Sequence, residues 1–482
     1  MPKNMDLTIL QINDTHGYFE LHNELFWVGD NAVYKKSGGY ARIATLFKQI
    51  RNEKNGKVIV LDNGDTIHGT FPAVTTKGQA LVPILNELAI DAMTAHWEFA
   101  YGPDNFRNIA NKLNFLILAI NCYEKNSGKL VFPPFHIIDV GGLRVGVIGV
   151  AATIVDKTMP KHFSKGICFT LGNKELPKYI KQLRENEKVD LIIVLSHLGY
   201  PQELKLAKEV DGIDVLLSGH THNRIYDAVV VNNAIVMQSG CHGSFVGRLD
   251  LQVKDDRIHS FRHKLINVDE SITPDPNVDS IVNKALDKHR DLLNLVVGKT
   301  KTALNRNQVM ESTMDNLLLQ ALVEVSGEKI AFSNGWRYGA PVIPGPLFLN
   351  DLWNIIPTNP KVSICKITGA ELWDMMEENL ERTFSYDPYK QMGGYVKRCS
   401  GLNLYFKIEN PEGKRMQDLF VNGKKLNKSK IYNACFVTAQ GIPENYGRDR
   451  QNLHIDAITA LEKYLEKNKS VSAELKRTIV PI

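Results

Sequence analysis

At 482 residues the chain exceeds what one ordinary hydrophobic core organises, so two domains are expected, each large enough to fold without staples. Hydrophobic residues make up 43% and charged residues 23%, with 35 glycines and 20 prolines, a composition that excludes disordered and fibrous classes, and no run reaches the roughly eighteen apolar residues of a membrane span. The 58 basic and 53 acidic side chains give a net charge of +5 but are interspersed, so neither nucleic acid nor membrane is expected as a partner.

The opening MPKNMDLTILQIND passes from a short polar lead into a strand pattern with no apolar signal region. A cytoplasmic location is therefore expected, or a periplasmic or extracellular one if a secretion signal has been removed. The chain then alternates LTILQIN, a helical YARIATLFKQIRNE, VIVLDNGD, a helix near PILNELAI, FLILAIN, HIIDVGGLRVGVIGV, a helix at LPKYIKQLREN and VDLIIVLSHLG. Strand and helix in alternation predict an α/β layered domain with buried strands. After GIDVLLSGHTHN, the segments AIVMQSG and GRLDLQV read as closing antiparallel strands.

The Pro- and Asp-rich stretch DESITPDPNVDS breaks the periodicity and predicts a boundary after residue 268, followed by a linker helix within 269–295. A second α/β unit is expected over 296–482, with helices at MDNLLLQALVEVSG and ELWDMMEENLER and strands at VSICKIT and LNLYFKIEN. Six cysteines without a CxxC pair suit reduced, mostly buried thiols.

Five short motifs carry the chemistry, each just past an apolar strand: NDTHG with Asp14 and His16, DNGDT with Asp65, AHWEF with His96, LSHLG with His197, and SGHTH with His220 and His222. Loops at the carboxyl ends of neighbouring strands converge on one crevice, so these two carboxylates and five imidazoles are expected to meet. Mixed oxygen and imidazole donors without thiolates suit a pair of divalent ions, manganese first and zinc, iron or cobalt next. Two such ions sharing a water would lower its pKa and present hydroxide to a substrate, and Asp65 is the candidate bridge. Any one of these motifs alone is weak; the ordered set is specific.

With these motifs the sequence resembles the calcineurin-like metallophosphoesterases, and within them the 5'-nucleotidase family. The likeness continues through ESTMDNLLLQAL, IAFSNGWRYGAPV, PGPLFLNDLWNIIP, ITGAELWDMMEENL and GGYVKRCSGLNLYF. It implies a four-layer α/β/β/α metallophosphoesterase domain over 1–268 and a smaller α/β substrate-binding domain over 296–482. It also implies one metal held by Asp14, His16, Asp65 and His222 and a second by Asp65, His96, His197 and His220. Arg337 is the implied substrate-anion contact, so Asp65, His96 and Arg337 are the catalytic candidates, with Asn334, Tyr395 and Arg398 as further substrate contacts. The implied activity is hydrolysis of a small phosphorylated substrate, such as a nucleoside 5'-monophosphate, by a metal-bridging hydroxide.

The third motif departs from the family pattern Gly-Asn-His-Glu-Phe-Asp, since this chain has Ala95-His96-Trp97-Glu98-Phe99-Ala100. His96 replaces the metal-binding Asn and can still ligate. Trp97 and Ala100 replace the family's catalytic His-Asp dyad. This variant resembles the dimanganese thiosulfohydrolases of bacterial sulfur oxidation, which implies an alternative substrate, a cysteine S-thiosulfonate on a carrier protein. A non-catalytic metal- and ligand-binding protein is the third reading. Near the cage, His68, Asn121, Cys241 and His242 are candidates for a supporting role, and Phe436 and Tyr446 join Tyr395 as aromatic candidates whose ordinary reading is packing.

Overall fold

The computed structural model describes residues 4–255, 257–393 and 395–482. The polar lead at 1–3 and Gly394 of the GGYVKRCSG stretch lie outside the described residues. The chain divides into two compact units, one of residues up to Phe26, Lys35–Lys157 and Lys161–Lys288, the other of Trp27–Tyr34, Thr158–Pro160 and His289–Ile482.

The first unit is built on two six-stranded sheets. One runs in the order Arg257–Asn267, Phe245–Lys254, Asn4–Ile12, Val58–Asp62, Ala92–Met93, Leu116–Ile117, and the other in the order Val229–Val231, Ala234–Met237, Val215–Leu217, Leu191–Ser196, Leu143–Val150, Phe135–Val140. Strand alternation explains how they stack. Leu7, Ile9, Ile59 and Leu61 of the first sheet share one buried cluster with Val145, Val147, Ile193, Leu195 and Val215 of the second. The intervening residues Ile148, Val150, Ile192, Val194 and Leu216 point the other way and pack on Leu176, Ile180 and Leu183 of helix Leu176–Glu185 and on Leu206 and Ala207 of helix Tyr200–Glu209. Helix Tyr40–Glu53 buries Ile43, Phe47 and Ile50. Both faces of strand Leu191–Ser196 are covered, which is why LIIVLS is apolar throughout rather than alternating.

The parallel pairings Ile9↔Ile59, Leu61↔Ala92, Ile193↔Val147 and Val194↔Leu216 aim the carboxyl ends of the central strands the same way within each sheet. One sequence expectation needs correction. Ala234–Met237 is antiparallel only to its edge neighbour Val229–Val231, and lies parallel to Val215–Leu217. GRLDLQV does close antiparallel, but on Asn4–Ile12 of the other sheet, so the chain crosses between the sheets after Met237. FLILAIN yields only the two-residue strand Leu116–Ile117, because its later residues carry the chain out of the sheet toward Asn121.

A helix, Pro276–Leu293, leads into the second unit. There a five-stranded sheet runs Arg398–Ser400, Ala331–Ser333, Ile431–Val437, Lys361–Thr368, Arg448–Asp456. Helix Gly369–Phe384 sets Leu372, Met375, Met376 and Leu380 into a core with Phe332 and Ile367 of that sheet and Leu404, Phe406 and Leu419 of a four-stranded one. The helix starts are written in the sequence. Ser312 accepts the backbone N–H of Asp315 at 3.1 Å, and Thr368 and Glu371 form a reciprocal capping box.

Candidate metal centre

Each motif loop begins where a central strand ends, and the loops are tied to one another by main chain. Asp14 N–H donates to Gly64 O and His16 N–H to Asp65 O, both at 2.8 Å, which locks the first and second loops together. Gly64 has φ +88°, and a Cβ there would stand 2.7 Å from Thr94 O, so the second loop presses on the third only as glycine. Glu98 holds the third loop: its carboxylate accepts the N–H groups of Thr66 at 2.7 Å, Asp65 at 3.2 Å and His96 at 2.7 Å. Asn63 reaches the second sheet, donating to Ser196 O and Leu217 O. Asp14, His16, Asp65, His220 and His222 all adopt left-handed backbone, φ +49° to +71°. Outside glycine this conformation costs roughly 1–2 kcal/mol per residue, and its recurrence in these loops marks a geometry the surrounding fold imposes.

Two ligand groups result. Asp65, His96, His197 and His220 place one donor atom each within 4.8 Å of one another, as do Asp14, His16 and His222. The groups adjoin: His197 Nε2 lies 3.4 Å from Asp65 Oδ2 and 3.6 Å from Asp14 Oδ1, and His16 Nε2 faces His222 Nε2 at 3.1 Å. Asp65 Oδ1 accepts the Trp97 N–H and Oδ2 faces His96 Nδ1, each at 2.9 Å. Burial alone would lower the His197 imidazole, yet Asp14, Asp65 and the Asn63 carbonyl raise it to about 10. Burial would likewise raise the Asp65 carboxyl, but His96, His197 and His16 hold it well below the ordinary carboxylate range. His16 is pushed well down, first by burial.

The residues fit divalent ions on two counts. Asp14 Oδ1 and His96 Nε2 are buried without a hydrogen-bond partner among the described residues, a costly state that cation ligation relieves. The donor set is two carboxylates and five imidazoles with no thiolate, and Cys241, whose thiol burial pushes well above its ordinary value, belongs to neither group.

The supporting candidates separate clearly. Asn121 is spent on main chain, donating to Ala151 O and Thr170 O and accepting the Ala151 N–H, so it ties loops together instead of facing a ligand. His68 stacks on Trp97 with ring centroids 4.6 Å apart and planes 8° apart. His242 belongs to a third group, His22–Glu24–His242, which sequence reasoning missed except for His242 itself. Glu24 there accepts from Arg224 at 2.8 Å, Ser244 Oγ at 3.0 Å and His242 Nδ1 at 3.1 Å. HNELF gives no signal for that carboxylate, since its partners are some 200 residues away in sequence. Glu98 was visible only as part of a motif read for its neighbours.

In the second unit, Asn334 donates to Gln440 Oε1 at 3.1 Å and bonds the Tyr395 hydroxyl, and the half-buried Arg337 lies over the Tyr395 ring at 5.5 Å. Arg398 is not presented to a ligand: its guanidinium is filled by Asp315, Val309 O and Gln308 O. Phe436 packs in the core beneath Arg450, and the Tyr446 hydroxyl donates to Glu378.

An α/β/β/α sandwich with carboxylates and imidazoles at these strand ends defines a metal-dependent phosphoesterase-type hydrolase. The sequence matches the calcineurin-like phosphoesterase family over residues 7–224, which contain all seven ligand candidates, and the 5'-nucleotidase C-terminal domain over residues 296–438. The chain thus carries a calcineurin-like phosphoesterase domain followed by a 5'-nucleotidase C-terminal domain. A trifunctional nucleotide phosphoesterase of Bacillus subtilis is 25% identical across 99% of this chain, which spans only 35% of that protein's length. A snake venom 5'-nucleotidase of Naja atra is 26% identical over 87% of this chain and 85% of its own. Among solved structures, the sulfate thiohydrolase SoxB of Thermus thermophilus shares the fold with a TM-score of 0.93 at 23% identity, covering 100% of this chain and 98% of that one.

Proposed function

We propose that the chain hydrolyses phosphate monoesters, with nucleoside 5'-monophosphates as the leading substrate class, using two divalent cations, manganese first among them. The observation that carries the proposal is the pair of adjoining ligand groups with buried, partnerless donor atoms between them. Asp14, His16 and His222 would hold one ion and His96, His197 and His220 the other, with Asp65 between them. Bound there, the ions would acidify a shared water and polarise the phosphoryl oxygens. The protein's own part is to fix the donors: Glu98 sets the turn at Asp65 and His96, and the carboxylates of Asp14 and Asp65 set the charge. Arg337 is the proposed anion contact, with Asn334 and Tyr395 beside it.

A second reading, release of sulfate from a cysteine S-thiosulfonate, draws support from Trp97 and Ala100. Neither side chain can donate or shuttle a proton to a leaving alkoxide, whereas the persulfide anion expelled from a cysteine S-thiosulfonate leaves with less help. The test is a manganese-loaded hydrolysis panel on AMP, an aryl phosphate and a cysteine S-thiosulfonate peptide, scoring phosphate and sulfate. Phosphate from AMP supports the proposal. Sulfate from the peptide alone replaces it with the second reading, and silence on all three with metal bound leaves a non-catalytic metal- and ligand-binding protein.

A further inference from the structure

The third group of donors, beside the first two, is held as firmly as they are. His22, Glu24 and His242 place one donor atom each within 4.8 Å of one another, and Glu24 and His242 are 1% and 4% exposed. The Tyr18 ring packs on both imidazoles, with centroids 4.5 Å from His22 and 4.7 Å from His242. Gly38 has φ +89°, and a Cβ there would collide with His22 Cε1, so the His22 ring takes its place only because residue 38 is glycine. His242 adopts left-handed backbone at φ +59°, as five of the ligand candidates do, and its N–H donates to Asp14 O at 2.7 Å.

The two oxygens of Glu24 keep different company. Oε1 accepts Arg224 Nη2 at 2.8 Å and the Leu25 N–H at 3.0 Å, and Arg224 Nη1 ends on Leu25 O. Oε2 faces the histidines, 3.1 Å from His242 Nδ1 and 3.0 Å from Ser244 Oγ, and that hydroxyl lies 3.1 Å from His22 Nε2. His22 Nδ1 stands 3.0 Å from Glu20 O, which can only accept, so the neutral ring carries its proton there and a lone pair on Nε2. Ser244 has one hydroxyl proton and gives it to Glu24, which leaves His22 Nε2 and the serine oxygen facing each other lone pair to lone pair. A proton on His22 or a cation among the donors would complete the set. The proton is the costlier of the two, since burial, with His242 adding to it and Glu24 opposing, pushes the His22 imidazole down to about 4.

We propose that His22, Glu24 and His242, with the Ser244 hydroxyl, bind a third divalent cation, zinc by donor type, separate from the two-ion centre. Two imidazoles, one carboxylate oxygen and a hydroxyl make a four-donor set without thiolate. Their contacts of 3.0 to 3.1 Å are close to the roughly 3.4 Å edge of a tetrahedron with arms of about 2.1 Å. Binding releases no proton. His22 ligates through Nε2, His242 through Nδ1 with its proton passing to Nε2, and Ser244 stays a hydroxyl. The ion ties the segment 22–24 to the loop that carries His242, and through the His242 N–H to the Asp14 loop. Because Arg224 offsets the Glu24 charge, this site fills after the two-ion centre.

The test is zinc titration of the chelator-stripped full chain with elemental analysis, joined to anomalous diffraction at the zinc edge, on wild type, His22→Gln and Asp65→Asn. Wild type should take up a third zinc, with an anomalous peak among His22, Glu24 and His242. His22→Gln should weaken uptake at that peak by about 10²-fold or more while the ions at Asp65 stay. Asp65→Asn should do the reverse, so the inference stands or falls apart from the phosphomonoester reading. Independently, 15N-histidine NMR of the metal-free protein at neutral pH should show His22 as the Nδ1–H tautomer, with its Nε2 resonance moved by zinc. No peak at Glu24 in zinc-saturated wild type, a peak that His22→Gln leaves at full strength, or a His22 imidazolium at neutral pH would overturn the proposal. Should His22→Gln fail to fold, the wild-type peak and the His22 tautomer decide it.

Discussion

Two buried polar clusters, one in each unit, are built on opposite terms. In the second unit, Asp315 is wholly buried between Arg306 and Arg398, accepts from Arg306 Nη2 at 2.9 Å, Arg398 Nε at 3.2 Å and Ser312 Oγ at 2.6 Å, and the remaining guanidinium donors end on carbonyls of Tyr338, Gln308 and Val309. Burial would raise the Asp315 carboxyl, yet the two arginines hold it below its ordinary value. At the strand ends of the first unit, Asp14 Oδ1 and His96 Nε2 are buried with no hydrogen-bond partner among the described residues, and five ligand candidates sit in left-handed backbone. A saturated cluster braces a fold, and an unsaturated one on strained backbone is held for something else to complete.

The largest effect should come from the unsaturated cluster. Asp65→Asn is expected to cut turnover by about 10³-fold or more and to lower bound manganese, because several kcal/mol of charge stabilisation go with the metal pair. Unchanged activity together with unchanged metal by elemental analysis would show the cage to be misassigned. The same change should barely touch the second unit.

Asp315→Asn reverses the pattern, leaving two buried guanidinium groups underpaired. It should cost about 3–5 kcal/mol in urea unfolding while metal stoichiometry holds. A loss under about 1 kcal/mol would mean the saturated cluster is not the brace described.

Metal itself should stabilise the first cluster. Manganese at a hundredfold excess over its dissociation constant is expected to add about 2.7 kcal/mol, reversed by chelation and absent in Asp65→Asn. A chelator that leaves the melting temperature unmoved would contradict ligation by the folded state.

A smaller effect tests Glu24, which resembles the second-unit pattern although it lies beside the first. Burial would raise its carboxyl, but His242 and Arg224 hold it near 2 against an ordinary 4.5. Its folded pKa is the lower one, so its contribution is present above about pH 4.5 and is lost as pH falls toward 2, on the order of 2 kcal/mol. Melting curves from pH 5 to 3 should fall more steeply for wild type than for Glu24→Gln, and parallel slopes would remove Glu24 from acid denaturation. Smallest of all, Ser312→Ala should cost about 1 kcal/mol through the lost helix cap, read as a shift in urea midpoint at constant slope.

The layered α/β class and the seven side chains offered as ligands were legible in the chain alone, because hydrophobic period and strand-end position are local properties. Tertiary structure alone decided which of the supporting candidates face the site. Asn121 and Arg398 are polar residues in suggestive motifs whose partners are carbonyls brought close by folding, at Ala151 and Thr170 for one and Gln308 and Val309 for the other. Glu24 carries no motif and acquires meaning only from His242 beside it. The sheet to which GRLDLQV belongs was equally hidden, since alternation fixes which residues of a strand are buried but not which neighbour it pairs with. A side chain's type is written in the chain, whereas the saturation of its hydrogen bonds depends on contacts between residues far apart in sequence, and here that saturation separates brace from site.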